Sequence, residues 1–159
     1  MLNYNSVIKN EIKQESISVK EISPVIKINL RGKKREFLTN VGKNLNMILP
    51  TEANTSTTSD KLTAIWLSPD EWMIISNELA SKDTNKSDLY EMLFNSISKT
   101  NLGAVIDVTD QFVQLELKGE NVYEIFSAGS PFNFNEFKEK KGSTVQTVLN
   151  HIDVILHHK

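Results

Sequence analysis

Between Lys34 and Asn46 the apolar residues Phe37, Val41 and Leu45 fall four apart with Leu38 beside them, the spacing of one helical face. Pro50 is expected to end that helix. Before it, Ile17-Ser-Val19 and Val25-Ile-Lys-Ile28-Asn-Leu30 are β-branched runs separated by Ser23-Pro24, which predicts either a bent edge strand or two short strands. Thr51 to Lys61 has little to bury and reads as a mobile loop. Leu62 to Leu67 is a buried strand, and Ser68-Pro69-Asp70-Glu71 has helix-start grammar with Ser68 as cap and Glu71 reaching back. Because Trp72 to Ile75 is strand-like again, that grammar predicts a single capped turn between two strands.

Ser87 to Lys99 places Leu89, Met92, Leu93 and Ile97 on one stripe and predicts the clearest helix of the chain. Ala104 to Val108 and Val113 to Leu117 are strands joined at Thr109-Asp110-Gln111, the second with Val113, Leu115 and Leu117 on its buried face. A short helix follows Gly119, with Val122, Ile125 and Phe126 inward, Gly129 as its left-handed end and Pro131 as its stop. Thr144 to Leu149 and Ile152 to Leu156 form a hairpin around Asn150-His151. Strands that follow one another between isolated helices predict an α+β fold with mostly antiparallel sheets.

Composition narrows the class without naming a function. A chain of 159 residues with 39% hydrophobic and 24% charged positions has a folded core, and a length that suits one domain or two small lobes. Its net charge of -2 argues against an electrostatic nucleic-acid binder. The absence of cysteine removes disulfides, thiolate chemistry and Cys-ligated metal centres. No apolar stretch approaches the roughly 20 residues of a membrane helix, and Met1 to Lys13 does not read as a secretory signal. The expectation is a cytoplasmic protein. Charge is uneven, with eight Lys or Arg against four Asp or Glu in residues 1–40 and the reverse proportion in 51–100.

Candidate chemistry is sparse. The basic run Arg31, Lys33, Lys34, Arg35 next to Gly32 reads as a solvated turn before the helix, with an anion site as the sharper alternative. Asp107 and Asp110 form the one compact carboxylate group at a strand end; they cap the turn, or else share a proton or hold a hard cation. His151, His157 and His158 invite a metal, but neighbours on a strand point to opposite faces. Dinucleotide, Walker, nucleophile-elbow and H-E-x-x-H motifs are all missing, which argues against an autonomous enzyme. Trp66 and Trp72, flanking the Pro69 turn, read as core or interface anchors.

The block Ile65-Trp66-Leu67-Ser68-Pro69-Asp70-Glu71-Trp72-Met73 resembles a run found in the gamma subunits of heterotetrameric sarcosine oxidase. Further stretches agree in order: Lys27-Ile-Asn-Leu-Arg31-Gly32, Ala104-Val-Ile-Asp107-Val-Thr-Asp110, Val113-Gln-Leu-Glu-Leu-Lys-Gly119, Gly129-Ser-Pro131-Phe-Asn133-Phe, Gln146-Thr147 and Val154-Ile-Leu-His157. The resemblance implies an aminomethyltransferase-like folate-binding fold over residues 17–159, preceded by an extension at 1–16. It implies a non-catalytic subunit of a bacterial assembly that oxidises sarcosine to glycine with one-carbon transfer to tetrahydrofolate. In such an assembly alpha, beta and delta partners hold FAD, FMN, NAD and tetrahydrofolate, and this chain holds none. Trp66, Pro69, Asp70, Glu71 and Trp72 are the expected interface, with both indoles filling the core as the alternative. Two departures are expected to matter: the family usually has Cys where Ser130 stands, and usually continues past His157 with a further strand and helix. The competing reading is a stand-alone folate-binding one-carbon or tRNA-modification protein with Asp107 or Asp110 meeting the pterin, but the K-G-C-Y-x-G-Q-E motif of the tRNA-modifying relatives has no counterpart here.

Overall fold

The structure is a computed structural model that describes residues 5–22, 24–79 and 88–159. The chain forms two compact units, Val25–Phe112 and a second made of residues up to Pro24 together with Val113–Lys159. Ser23 and Ser87, expected at a bend and at a helix start, lie outside the described residues.

The unit Val25–Phe112 is built on a five-stranded antiparallel sheet in the order β4-β5-β6-β3-β7. Its strands are β3 (Val25–Arg31), β4 (Ser56–Thr58), β5 (Leu62–Ser68), β6 (Glu71–Leu79) and β7 (Ala104–Asp107). The two-residue period sends Ile28 and Leu30 of β3, Ala64 of β5, Trp72 and Ile74 of β6 and Val105 of β7 to one face. Helices α1 (Arg35–Leu45) and α2 (Asp88–Leu93) pack there, contributing Phe37, Val41, Leu45 and Leu93 to the same core. Phe37 is wholly buried; its ring centroid lies 5.8 Å from that of Trp72, in contact range for an aromatic pair.

Several expectations change here. The 17–30 region is two strands in two different sheets, and β3 is interior, hydrogen-bonded on both sides, where an edge strand was one option. Helix α1 ends at Asn46, which adopts φ 49° and turns its N–H back to the Gly42 carbonyl, four residues before Pro50. The expected loop 51–61 includes β4, because its Ser and Thr backbones pair with Ala64 and its neighbours on β5. The predicted long helix narrows to α2 followed by a π-helical turn, Phe94–Ser98. The Ser96 hydroxyl donates to the carbonyls of Met92 and Leu93, a local bond that competes with the regular ladder as the turn widens. Leu93 and Ile97 remain fully buried, whereas Met92 is partly exposed at the margin of the stripe.

The other unit holds the antiparallel sheet β1-β2-β8, from β1 (Ile12–Gln14), β2 (Ile17–Glu21) and β8 (Leu115–Lys118). Helix α3 (Val122–Gly129) and the hairpin of β9 (Thr144–Leu149) and β10 (Ile152–His157) complete it. Its core is unusually aromatic: Phe126, Phe134 and Phe137 are buried with Ile17, Val122 and Val145, and Tyr123 and Phe132 pack against them. The hairpin forms around Asn150-His151 with Leu149 opposite Ile152, and Asn150 supplies the left-handed residue of the turn. Strands β7 and β8 do not pair with each other: the 3₁₀ turn Thr109–Gln111 leads from the sheet of one unit towards that of the other. The strand expected at Val113–Leu117 is β8, Leu115–Lys118: Leu117 packs on the core as expected, whereas Leu115 is exposed, as is Val113 ahead of the strand. Ile125 of α3 is likewise exposed. Gly129 keeps a negative φ as the last residue of α3, and its missing side chain serves proximity, since a Cβ there would lie 2.8 Å from Leu149.

Two substitutions test the packing of the larger unit. Gly103→Ala would drive its methyl into the Arg31 carbonyl and to 2.8 Å from the Phe37 ring, and is expected to cost about 1–3 kcal/mol by overpacking. Trp72→Phe keeps most of the buried ring but loses the indole N–H donated to the Pro50 carbonyl at 2.7 Å, and is expected to cost about 1–2 kcal/mol. Urea unfolding midpoints of both variants check the two costs; a neutral Gly103→Ala would refute the close approach.

Candidate functional site

The tryptophan block folds as the β5–β6 hairpin, with Trp66 opposite Trp72 and Ser68 opposite Glu71 across the Pro69-Asp70 turn. An irregularity in register between Trp66 and Ser68 accommodates Leu67. The turn does not use the expected capping box. Ser68 donates its hydroxyl to Asp70 Oδ1 at 2.9 Å, and Asp70 Oδ2 lies 3.5 Å from Lys33 Nζ. The Ser68 hydrogen bond, with Lys33 and Arg31 nearby, holds the Asp70 carboxyl below the usual carboxylate range. Glu71 reaches sideways to β3, accepting from Asn29 Nδ2 at 2.7 Å and from an Arg31 guanidinium nitrogen at 3.1 Å. The Asp70 carbonyl accepts the Gly32 N–H at 3.0 Å, which ties the hairpin turn to the end of β3.

This arrangement divides the five residues expected at an interface. Pro69 is exposed, Trp66, Asp70 and Glu71 are partly exposed, and Trp72 is 2% exposed inside the core. It also accounts for half of the basic run: Arg31 and Lys33 are drawn to Glu71 and Asp70, while Lys34 and Arg35 begin α1. Asn29, the second partner of Glu71, was missed from sequence. The signal was present in the alternation of Lys27, Asn29 and Arg31 on one face of β3.

Asp107 and Asp110 are both exposed and do fall at one turn. Asp107 Oδ1 accepts the Thr109 N–H at 2.9 Å, the turn-capping role of an aspartate two residues upstream. Thr109 in turn accepts the Lys27 N–H at its hydroxyl, 3.1 Å away, and the Lys27 ammonium donates to the carbonyls of Val25 and Thr109 at 3.3 and 3.4 Å. Lys27 is 4% exposed. Burial lowers its pKa, and the nearby charges of Asp110 and Asp107 oppose that shift. The two acids therefore act on Lys27 through their charge, an influence that sequence reasoning did not assign to them.

The three imidazoles take three different settings. His151 is exposed in the hairpin turn. His158 packs edge-on to Tyr123, with its Nδ1 3.0 Å from the Phe137 carbonyl. His157, at the end of β10, has its pKa pushed down to about 4, first by burial and then by the charges of Lys159 and His158. Among the described residues no three His, Cys, Asp or Glu side chains gather as a metal site. An open cleft of about 700 Å³, floored by Leu45, Leu62, Leu89 and Met92, contains none of the candidate site residues.

The His157 shift fixes the sign of a pH effect. The folded chain holds this ring neutral while the unfolded chain protonates it near 6.5, so its stabilisation is complete above pH 6.5 and is lost as pH falls towards 4. The expected loss is no more than about 2 kcal/mol once partial exposure to solvent is discounted. Urea unfolding across that range, compared with His157→Gln, checks it; an unchanged pH slope in the variant would remove His157 as the cause.

Among the described residues no helix is long and apolar enough to cross a membrane. No curated protein sequence matches the chain. A chain of the heterotetrameric sarcosine oxidase from Corynebacterium sp. U-96, solved in complex with pyrrole 2-carboxylate, shares the fold. The TM-score is 0.78 at 18% identity, over 93% of this chain and 73% of that one. The model of the sarcosine oxidase, gamma subunit family matches residues 32–159, a span that contains the tryptophan hairpin with Asp70 and Glu71. The chain therefore belongs to the sarcosine oxidase, gamma subunit family.

Proposed function

We propose that the chain is the gamma subunit of a cytoplasmic heterotetrameric sarcosine oxidase and is itself non-catalytic. In this reading alpha, beta and delta chains bind FAD, FMN, NAD and tetrahydrofolate and carry the oxidation of sarcosine to glycine. The observation that carries the proposal is the family match over most of the chain, 32–159. The use of the acids supports it. Glu71 holds Asn29 and Arg31, Asp70 holds Ser68 and Lys33, and Asp107 caps Thr109, so three of the four acids singled out in the sequence are engaged in local structure.

The hairpin turn is the proposed contact with a neighbouring chain. Pro69, Asp70 and Glu71 offer the surface, and Trp66 and Trp72 support it from the core side. A fixed charge pattern on a two-residue turn gives a partner orientation more than affinity.

Co-expression with the other oxidase chains of its own organism tests the reading. The expected result is co-purification of a yellow, flavin-containing complex that oxidises sarcosine, while the isolated chain shows neither flavin absorbance nor turnover. A chain that stays alone and binds tetrahydrofolate in calorimetry would overturn it in favour of a free-standing folate protein.

A further inference from the structure

Strand β10 pairs with β9 on one side, and among the described residues no strand lies on its other side. Two observations fix which backbone groups of β10 point outward. The hairpin turn consists of Asn150 and His151, so Leu149 and Ile152 on either side of it form a hydrogen-bonded pair. Further along, the His158 N–H is donated to the Ser143 carbonyl at 3.0 Å. Even-numbered residues from Ile152 to His158 therefore bond inward, and Asp153, Ile155 and His157 turn their N–H and C=O groups away from β9. Edge strands are normally blunted by proline, lysine or a bulge, and Ile152–His157 has no proline, no lysine and no break in its register with β9. Charge is instead ordered along the strand. Asp153 is exposed near its start, Ile155 lies midway, and at its end the charges of Lys159 and His158 reach His157.

We propose that β10 pairs antiparallel with β10 of a second copy of this chain, about a two-fold axis at Ile155. Of the antiparallel registers open to the outward groups, this is the one that uses all three residues. Ile155 faces its own counterpart, Asp153 faces the second copy's His157, the symmetry repeats that contact, and each pair exchanges both N–H···O bonds. The side chains agree with the backbone. Asp153, Ile155 and His157 share one face of the strand, so each carboxylate meets an imidazole backed by a lysine, and an isoleucine pair lies between the two polar contacts. On the other face Val154 lies opposite Leu156. A strand with one sign of charge throughout would repel its own copy. The acid-to-base order of β10 selects a second copy, because the same strand turned antiparallel presents the complementary order at the same spacing. The inference concerns the chain by itself and does not depend on the subunit reading.

Sedimentation velocity of the full chain is expected to show a concentration-dependent species of twice the mass of one chain. Asp153→Lys, at an exposed position, sets a lysine against the basic end at two equivalent contacts and is expected to weaken self-association about 10-fold, with an unchanged melting midpoint. Ile155→Pro removes a donor that the hairpin does not use and is expected to abolish the association. The chain has no cysteine, so Ile155→Cys introduces a single thiol, which the two-fold brings to about 5.5 Å from its counterpart, Cα to Cα, within disulfide range. Mild oxidation is expected to give a covalent dimer of Ile155→Cys and far less of Asp153→Cys, whose thiol faces residue 157 of the other copy. A monomer at every concentration, wild-type association in Asp153→Lys, or equal cross-linking of the two cysteine variants would overturn the pairing. It would also be overturned by a chain that is monomeric alone and whose Ile155 amide gains hydrogen-exchange protection only when other oxidase chains are added, a result that assigns the edge to one of them.

Discussion

The contact on which the larger unit depends is the one between the Phe37 ring and the sheet beneath it. Phe37 comes from the first turn of α1, packs beside Trp72, and sits so close to Gly32 and Gly103 that a Cβ at either position would meet the ring at less than 3 Å. Glycine is required there by space, since neither residue has a positive φ. Gly32 leaves β3 and Gly103 enters β7, so one ring sets how near the helix can lie to two adjoining strands. The tilt of Trp72 against that ring also carries its N–H to Pro50. Helix docking, strand ends and the loop after α1 are consequently settled by a single aromatic pair and two absent side chains.

Much of this order was readable in the sequence wherever a period persisted. The four-residue repeat Phe37, Val41, Leu45 is the buried stripe of α1, and the alternation in β3 and the hairpin β9–β10 emerged as written. Turns were harder, for a chemical reason. Among the described residues, all four non-glycine positions with positive φ are asparagines, Asn46, Asn54, Asn101 and Asn150, whose short polar side chains tolerate the left-handed region. Reading glycine and proline as the stop signals therefore placed the end of α1 at Pro50 and gave Gly129 a left-handed role it does not have. Pairing was harder still. Nothing local distinguishes a turn that closes a hairpin from Thr109–Gln111, which leaves one sheet for another.

The candidate site was legible in residue type and missed in partnership. Sequence adjacency suggested that Ser68 would cap amides and Glu71 would reach back, both within the block, whereas Glu71 bonds across the sheet to residues 40 and more positions away. Asp107 and Asp110 were recognisable as a carboxylate pair, but their effect on Lys27 depends on a strand some eighty residues earlier. Long-range polar partners leave no periodic trace, because a single side chain suffices and its counterpart follows no spacing rule.

The division of the chain into an uninterrupted unit and one assembled from both ends bears on how the protein is made. β1 and β2 can pair with each other at once, but β2 also pairs with β8, joining Ser18 to Lys118, so that sheet stays open on one side until β8 has been synthesised. The segment Val25–Phe112, by contrast, has every strand of its sheet in hand once β7 has emerged. At about 5–20 residues per second, the intervening unit has seconds in which to fold before the last strand of its companion is complete. Its early closure brings the two ends of the discontinuous sheet nearer than a free loop of that length would hold them, lowering the entropy of the last pairing.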